Sequence, residues 1–164
     1  MNRVDHNIYV ADRLANTVTV ISSAGAVTGT VPVGSVPVAI GINGATNKIY
    51  VVNVNSNNVT VIDGATDAPT TVPAGVAPNT VAVDQVRNKI YVVNLDGNCT
   101  TIIDGKTNTS TTIGNGSAEI AADVLTNRFY VMNNAGSEIA IFSGAGGPFP
   151  VPLLDELTGP VNGR

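Results

Sequence analysis

Tryptophan is absent from this chain, and cysteine and histidine occur once each, as Cys99 and His6. A single cysteine excludes an internal disulfide and a cysteine-built metal site, so Cys99 reads as a packed or edge strand residue. A single histidine leaves the Asp5-His6 pair without a second imidazole for a zinc site, and His6 reads as a surface residue where a strand starts. No Gly-x-Ser-x-Gly turn accompanies it, so a serine triad has no support. Charge is scarce as well, at 12% of residues against about a quarter in ordinary domains. The formal net charge of −4, with no run of Lys or Arg, argues against nucleic acid as a partner. Apolar runs stay far below the ~18 residues that a membrane-spanning helix needs. In residues 1–25, Asp5, Asp12 and Arg13 interrupt any apolar core of a signal peptide. Gly144-Ala145-Gly146-Gly147 lacks the Lys-Ser/Thr that would make it a phosphate loop. Nothing in the sequence asks for a cofactor.

What the chain has is a repeat. Its four tyrosines stand at 9, 50, 91 and 130, and a fixed period near 40 residues marks a repeat architecture. They sit in Asn7-Ile8-Tyr9-Val10, Asn47-Lys48-Ile49-Tyr50-Val51, Asn88-Lys89-Ile90-Tyr91-Val92 and Asn127-Arg128-Phe129-Tyr130-Val131. A second apolar run follows each: Thr17–Ile21, Val59–Asp63, Thr100–Asp104 and Ile139–Ser143. A Thr/Val-rich run comes next at Val27–Val33, Thr70–Pro73 and Thr109–Ile113. Gly34–Pro37, Gly75–Pro78 and Gly116–Glu119 then introduce a fourth run, at Val38–Ile42, Thr80–Val83 and Ile120–Ala122. Short β-branched segments punctuated by Gly, Asn, Asp and Pro are strands and turns, and no window carries a helical apolar period. Four short strands per 40-residue unit describe one blade of a β-propeller. The fold class is all-β, with about four blades of four antiparallel strands.

These motifs resemble the YVTN-repeat propellers, the surface-layer-type repeat proteins named for a Tyr-Val-x-Asn core. Tyr50-Val51-Val52-Asn53 and Tyr91-Val92-Val93-Asn94 match it, Tyr130-Val131-Met132-Asn133 matches closely, and the likeness covers roughly residues 5–145. Tyr9-Val10-Ala11-Asp12 departs from it in ending on Asp, and the last unit departs in placing Glu119 where Pro37 and Pro78 stand. The resemblance implies a fold. It says little of function, because one scaffold hosts many.

The units run approximately 1–33, 34–74, 75–115 and 116–153, with a tail at 154–164. The Pro-led strand is expected innermost, then the Tyr strand, then the two Thr/Val-rich strands. The chain starts at a Tyr strand, so the first blade lacks its inner strand, while Pro148–Leu153 would be the outer strand of the last. Either the tail supplies the missing strand and closes a four-blade ring, or the chain is an arc of a larger propeller. Thr158-Gly159-Pro160-Val161-Asn162-Gly163 makes a poor strand, which favours the arc, and open sheet edges promote association.

Polar residues divide by position. Asp63 and Asp104 precede a glycine at the same repeat position and are expected to cap turns through backbone amides. Asp84 and Asp123 recur after the inner strand in the same way, and Asn47, Asn88 and Asn127 suit left-handed turn positions. The loops after the Tyr strands vary most, as loops that carry function on a rigid frame do. They are Asp12–Ala15, Val54–Asn57, Leu95–Asn98 and Asn134–Ser137, which makes Asp12, Arg13, Asn55, Asn57, Asp96 and Asn98 the candidate binding residues. Glu119 joins them because it interrupts the repeat near the axis. Small polar loops suit a protein partner, another copy of the chain or a glycan. The expectation is a non-enzymatic interaction scaffold, extracellular, cell-surface or periplasmic, with an axial hydrolase, lyase or quinoprotein-like site as the alternative. Asn-x-Ser/Thr sequons at Asn58, Asn98, Asn108 and Asn115 follow from an Asn/Thr-rich composition.

Overall fold

The computed structural model describes residues 6–114, 119–123, 128–133 and 138–143, and every regular element among them is a β-strand. The first sheet holds β1 (Ile8–Asp12), β2 (Thr17–Ile21) and β3 (Val27–Pro32). The second holds β4 (Pro37–Asn43), β5 (Lys48–Asn53), β6 (Asn58–Asp63) and β7 (Pro69–Pro73). The third repeats it with β8 (Pro78–Asp84), β9 (Lys89–Asn94), β10 (Cys99–Asp104) and β11 (Thr109–Gly114). The fourth holds β12 (Glu119–Asp123), β13 (Arg128–Asn133) and β14 (Glu138–Ser143). Each sheet is an antiparallel meander in chain order. The short turns between strands allow nothing else, since a parallel neighbour needs a long crossover.

Register repeats as faithfully as sequence. Tyr50 lies opposite Gly41 on one side and Val61 on the other. Tyr91 lies between Ala82 and Ile102, and Tyr130 between Ala121 and Ile141. The Pro-led strands β4 and β8 lie side by side, and β12, which Glu119 opens, lies against β8, so these strands form the inner edge of the blades. Pro37 and Pro78 open these strands, where their missing N–H costs no ladder bond, and a bulge follows each. In the first sheet no strand lies inside β1 among the described residues. The stretch Pro148–Leu153 and the tail 154–164 lie outside the described residues.

The core sits in the seams between blades. Between the first two blades, Tyr9, Val18, Val20 and Val31 cover Ile49, Val51 and Ile62. Between the second and third, Tyr50, Val52, Val59, Val61 and Val72 cover Ile90, Val92 and Ile103. Within β5 the side chains alternate between the two seams, Ile49 and Val51 one way and Tyr50 and Val52 the other, as strand geometry requires. Burial of a Val or Ile side chain stabilises by about 1.5–3 kcal/mol, so each blade is held mainly by its neighbours.

At the inner edge the approach is closest at Gly41, where an added Cβ would meet Val83 Cγ2 at 2.8 Å and Val81 Cγ2 at 3.1 Å. Overpacking a site of this kind costs typically about 1–3 kcal/mol. Gly41→Val is therefore expected to lower stability by that amount, read as a reduced urea midpoint with the far-ultraviolet spectrum unchanged.

Candidate functional site

The loops after the Tyr strands lie at one end of the blades, alongside the segments that lead into the inner strands. Val54 N–H donates to Val36 O at 3.0 Å, and Asn55 N–H to Ser35 O at 3.2 Å. One blade on, Leu95 N–H donates to Ala77 O and Gly97 N–H to Val76 O, both at 3.0 Å. Asn16 and Asn57 are left-handed, at φ 57° and 52°, a conformation asparagine tolerates better than most residues. From there each reaches into the next blade's lead-in. Asn16 Oδ1 accepts from Val36 N–H at 2.8 Å, and Asn57 Oδ1 from Ala77 N–H at 2.9 Å. Val36 and Ala77 themselves hold positive φ, at 56° and 52°, which is costly for a residue bearing a Cβ and persists only where neighbours fix it.

Beneath these loops lies a polar cluster that the sequence reading did not anticipate. The last residue of each Tyr-Val-x-Asn core, Asn53 or Asn94, is fully buried. Asn53 Nδ2 donates to Thr60 Oγ1 at 2.9 Å and to Asn58 Oδ1 at 2.9 Å. Thr60 Oγ1 also accepts from Gly34 N–H at 3.2 Å. Asn94, Thr101 and Gly75 repeat the arrangement at 3.0 and 3.1 Å, with Asn94 Nδ2 also donating to Cys99 O at 3.1 Å. The motif's asparagine thus anchors the start of the inner strand to the third strand through one threonine hydroxyl. The signal was the recurrence of Asn53/Thr60 and Asn94/Thr101 at one spacing, but only the fold shows which glycine they serve.

The candidates separate accordingly. Asp12 occupies the Asn53 position and is exposed; its Oδ1 accepts from Leu14 and Ala15 N–H at 3.0 Å each. Asn57 is engaged in the lead-in bond, and Asn98 holds the same left-handed position at φ 47°. Arg13, Asn55 and Asp96 are exposed. Glu119 opens β12 opposite Met132, on the inner strand beside β8. The loop Asn134–Ser137 lies outside the described residues.

Most charged groups among the described residues stand at the opposite end, and they serve turns. Asp63 Oδ1 accepts from Ala65 and Thr66 N–H at 2.9 and 3.2 Å. Asp84 Oδ1 accepts from Val86 and Arg87 N–H at 3.0 and 3.1 Å, and its Oδ2 pairs with Arg87 at 3.1 Å. Asp104 Oδ1 accepts from Lys106 and Thr107 N–H at 2.9 and 3.2 Å, while its Oδ2 meets Lys89 Nζ at 2.7 Å. Asn47 and Asn88 are left-handed at φ 52° and 54°; Asn127 lies outside the described residues. Lys48 crosses a seam to donate to Gly105 O at 2.7 Å, and Asn43 Nδ2 to Asn88 Oδ1 at 2.8 Å.

These contacts shift two kinds of group. The Lys89 hydrogen bond, helped by the Lys106 and Thr107 amides, lowers the Asp104 carboxyl to about 2. Burial, and secondarily the Asp104 charge, pushes the Tyr50 phenol up to about 12. Burial and the Asp84 charge push the Tyr91 phenol equally high. Cys99 is a buried thiol whose Sγ accepts from Asn94 Nδ2 at 3.4 Å, and His6 is exposed. Among the described residues no three His, Cys, Asp or Glu side chains gather as a metal site, and no helix is long and apolar enough to cross a membrane.

Neither a family model nor a curated protein sequence matches the chain. Solved structures do. Hydrazine synthase of Kuenenia stuttgartiensis matches with a TM-score of 0.74 at 17% identity, over 86% of this chain and 43% of that one. The dihydro-heme d1 dehydrogenase NirN matches with 0.77 at 16% identity, over 92% of this chain and 34% of that one. A chain of the mitotic checkpoint complex matches with 0.73 at 15% identity, over 87% and 47%. Identities this low show the fold alone, and that fold is the β-propeller. The chain spans about a third to a half of the length of the solved chains it matches.

Two outcomes follow from the polar contacts. Asn94→Ala and Thr101→Val should each cost about 1–3 kcal/mol, because a buried amide loses its acceptor or its tether. Their double-mutant cycle should show coupling of at least ~0.5 kcal/mol in chemical denaturation. Acid should act through Asp104. A carboxyl lowered to about 2 contributes stability that is present above its ordinary value and lost as pH falls toward 2. The stability gap between the wild type and Asp104→Asn should therefore close over that window. The raised phenols act oppositely, their contribution being complete below pH 10 and lost as pH rises toward about 12.

Proposed function

We propose that this chain is a YVTN-type propeller module acting as a non-enzymatic scaffold for protein–protein interaction, at the cell surface or in the periplasm. The observation that carries the reading is the division of labour between the two ends of the blades. Asp63, Asp84, Asp104, Lys48, Arg87 and Lys89, the groups with chemistry to offer, are engaged in turn and seam bonds. At the other end Arg13, Asn55 and Asp96 project from successive loops on a rigid frame. Short polar side chains spread over several blades make a broad contact surface, which suits a folded partner better than a buried small molecule. The location rests on composition: 12% charge with polarity carried by Asn, Thr, Ser and Gly.

An enzymatic or cofactor-binding role near the axis is the second reading. It is favoured by Glu119 at the start of an inner strand and by the enzymes among the structural neighbours. The two separate in one comparison. Capture of envelope proteins by the wild type should fall at least ~tenfold for the triple variant Arg13→Ala, Asn55→Ala, Asp96→Ala, with its circular dichroism unchanged and Glu119→Gln capturing as the wild type does. Undiminished capture by the loop variant, or a hydrolase activity abolished by Glu119→Gln, would overturn the scaffold reading.

A further inference from the structure

We propose that Gly64 and Asp67, in the turn between β6 and β7 at the seam of the first two blades, form a socket for a lysine ammonium carried by a protein partner. The neighbouring seam holds an occupied version of it. There Lys48 lies opposite Asp63 in the strand pairing but reaches over the seam to the turn between β10 and β11. Its Nζ donates to Gly105 O at 2.7 Å and to Asn108 Oδ1 at 3.3 Å. Lys89, one blade on, pairs with its own cross-strand neighbour Asp104 instead, so register does not force the crossing. What draws Lys48 across is a backbone carbonyl and a side-chain oxygen set side by side.

The turn of the second blade repeats that geometry. Asp63 Oδ1 accepts from Ala65 and Thr66 N–H at 2.9 and 3.2 Å, as Asp104 Oδ1 does from Lys106 and Thr107 N–H. Gly64 N–H donates to Asn47 O and Gly105 N–H to Asn88 O, both at 2.8 Å. Asp67 and Asn108 donate to Asp63 O and Asp104 O, again at 2.8 Å, with φ 57° and 56°. Gly64 O and the Asp67 side chain therefore stand as Gly105 O and Asn108 Oδ1 do. The difference is that a carboxylate replaces the amide, and hydrogen bonds to a charged acceptor are the stronger kind.

The acceptor has gained a charge while the lysine is gone. Asn7 holds the place of Lys48 in the first blade. Register fixes the equivalence, because Tyr9 lies opposite Val20 as Tyr50 lies opposite Val61. His6 also holds a left-handed φ of 59°, as Asn47 does at 52°. Asparagine is shorter than lysine and uncharged, so this position brings no ammonium to the turn. Asp67 has no ion-pair partner among the described residues, and with Gly64 it is half-buried, within reach of a group from outside. Two protein oxygens suffice for an ammonium, as Lys48 shows. A hard metal ion such as calcium takes about six to eight, and no metal-ligating cluster gathers among the described residues. One ion pair contributes little by itself, so the ammonium belongs to a partner that makes further contacts.

The inference rests on reading the chain as an interaction scaffold, but concerns a surface separate from the polar loops. Titrating the isotope-labelled full chain with Nα-acetyl-lysine amide, followed by amide chemical shifts, tests it. The amides of Gly64 to Asp67 should shift saturably, with a dissociation constant on the order of 10 mM. Nα-acetyl-norleucine amide, which lacks the ammonium, should leave them in place. Asp67→Asn should weaken the response at least about threefold. Asn7→Lys, which returns the ammonium to the chain itself, should abolish the shifts and raise the urea midpoint. That gain should vanish when Asp67→Asn is added. The absence of a saturable shift, an equal response to the norleucine amide, or a folded Asn7→Lys variant that gains no stability would each overturn the proposal. Calcium chloride moving the same amides at lower concentration than the lysine amide would overturn it in favour of a metal site. Undiminished capture by the loop variant, with these shifts intact, would count against the scaffold reading instead.

Discussion

The seam between blades is the constraint on which this structure depends. A four-stranded meander is too small to bury its own apolar side chains, and in the second sheet both faces are apolar. Ile49 and Val51 point to one neighbour while Tyr50 and Val52 point to the other. No blade has an interior of its own. Stability is therefore shared between neighbours, as in other repeat proteins.

The polar structure follows from that stacking. Where blades converge, the inner strands approach so closely that Gly41 sits against Val81 and Val83. The start of each inner strand must then be fixed, and Asn53 and Asn94 do this by turning inward to Thr60 and Thr101, which in turn receive the amides of Gly34 and Gly75. The first blade illustrates the dependence. There the motif's asparagine is replaced by Asp12, which is exposed and caps its own loop by accepting the Leu14 and Ala15 amides.

At the opposite end charge performs structural work. Asp63, Asp84 and Asp104 close tight turns by accepting backbone amides, and Lys48 ties one blade to the next through the Gly105 carbonyl. A chain with 12% charged residues has few such groups, and most of those described are committed to turns and seams. This leaves the loop end, with Arg13, Asn55 and Asp96, as the surface on which partner recognition would depend.

The sequence by itself determined the blade. Tyrosines at a period near 40 residues, β-branched runs of four to seven residues, and Gly-x-x-Pro punctuation dictate an all-β repeat, because period-2 side chains and turn residues leave no other local solution. The same reading found Asp63, Asp84 and Asp104 as turn caps, since an aspartate before or within a tight turn has a nearby amide to accept. It did not find the partners of Asn53 and Asn94, which lie across a strand pairing, or the seam bonds from Asn16, Asn57, Asn43 and Lys48, which join residues 20 or more positions apart. Nor did it distinguish Ile8 and Val10 from Ile49 and Val51, which read alike and differ only in having a neighbour. Tertiary structure alone decided which of the identical faces is covered, because burial belongs to the stacking of blades and not to any one of them.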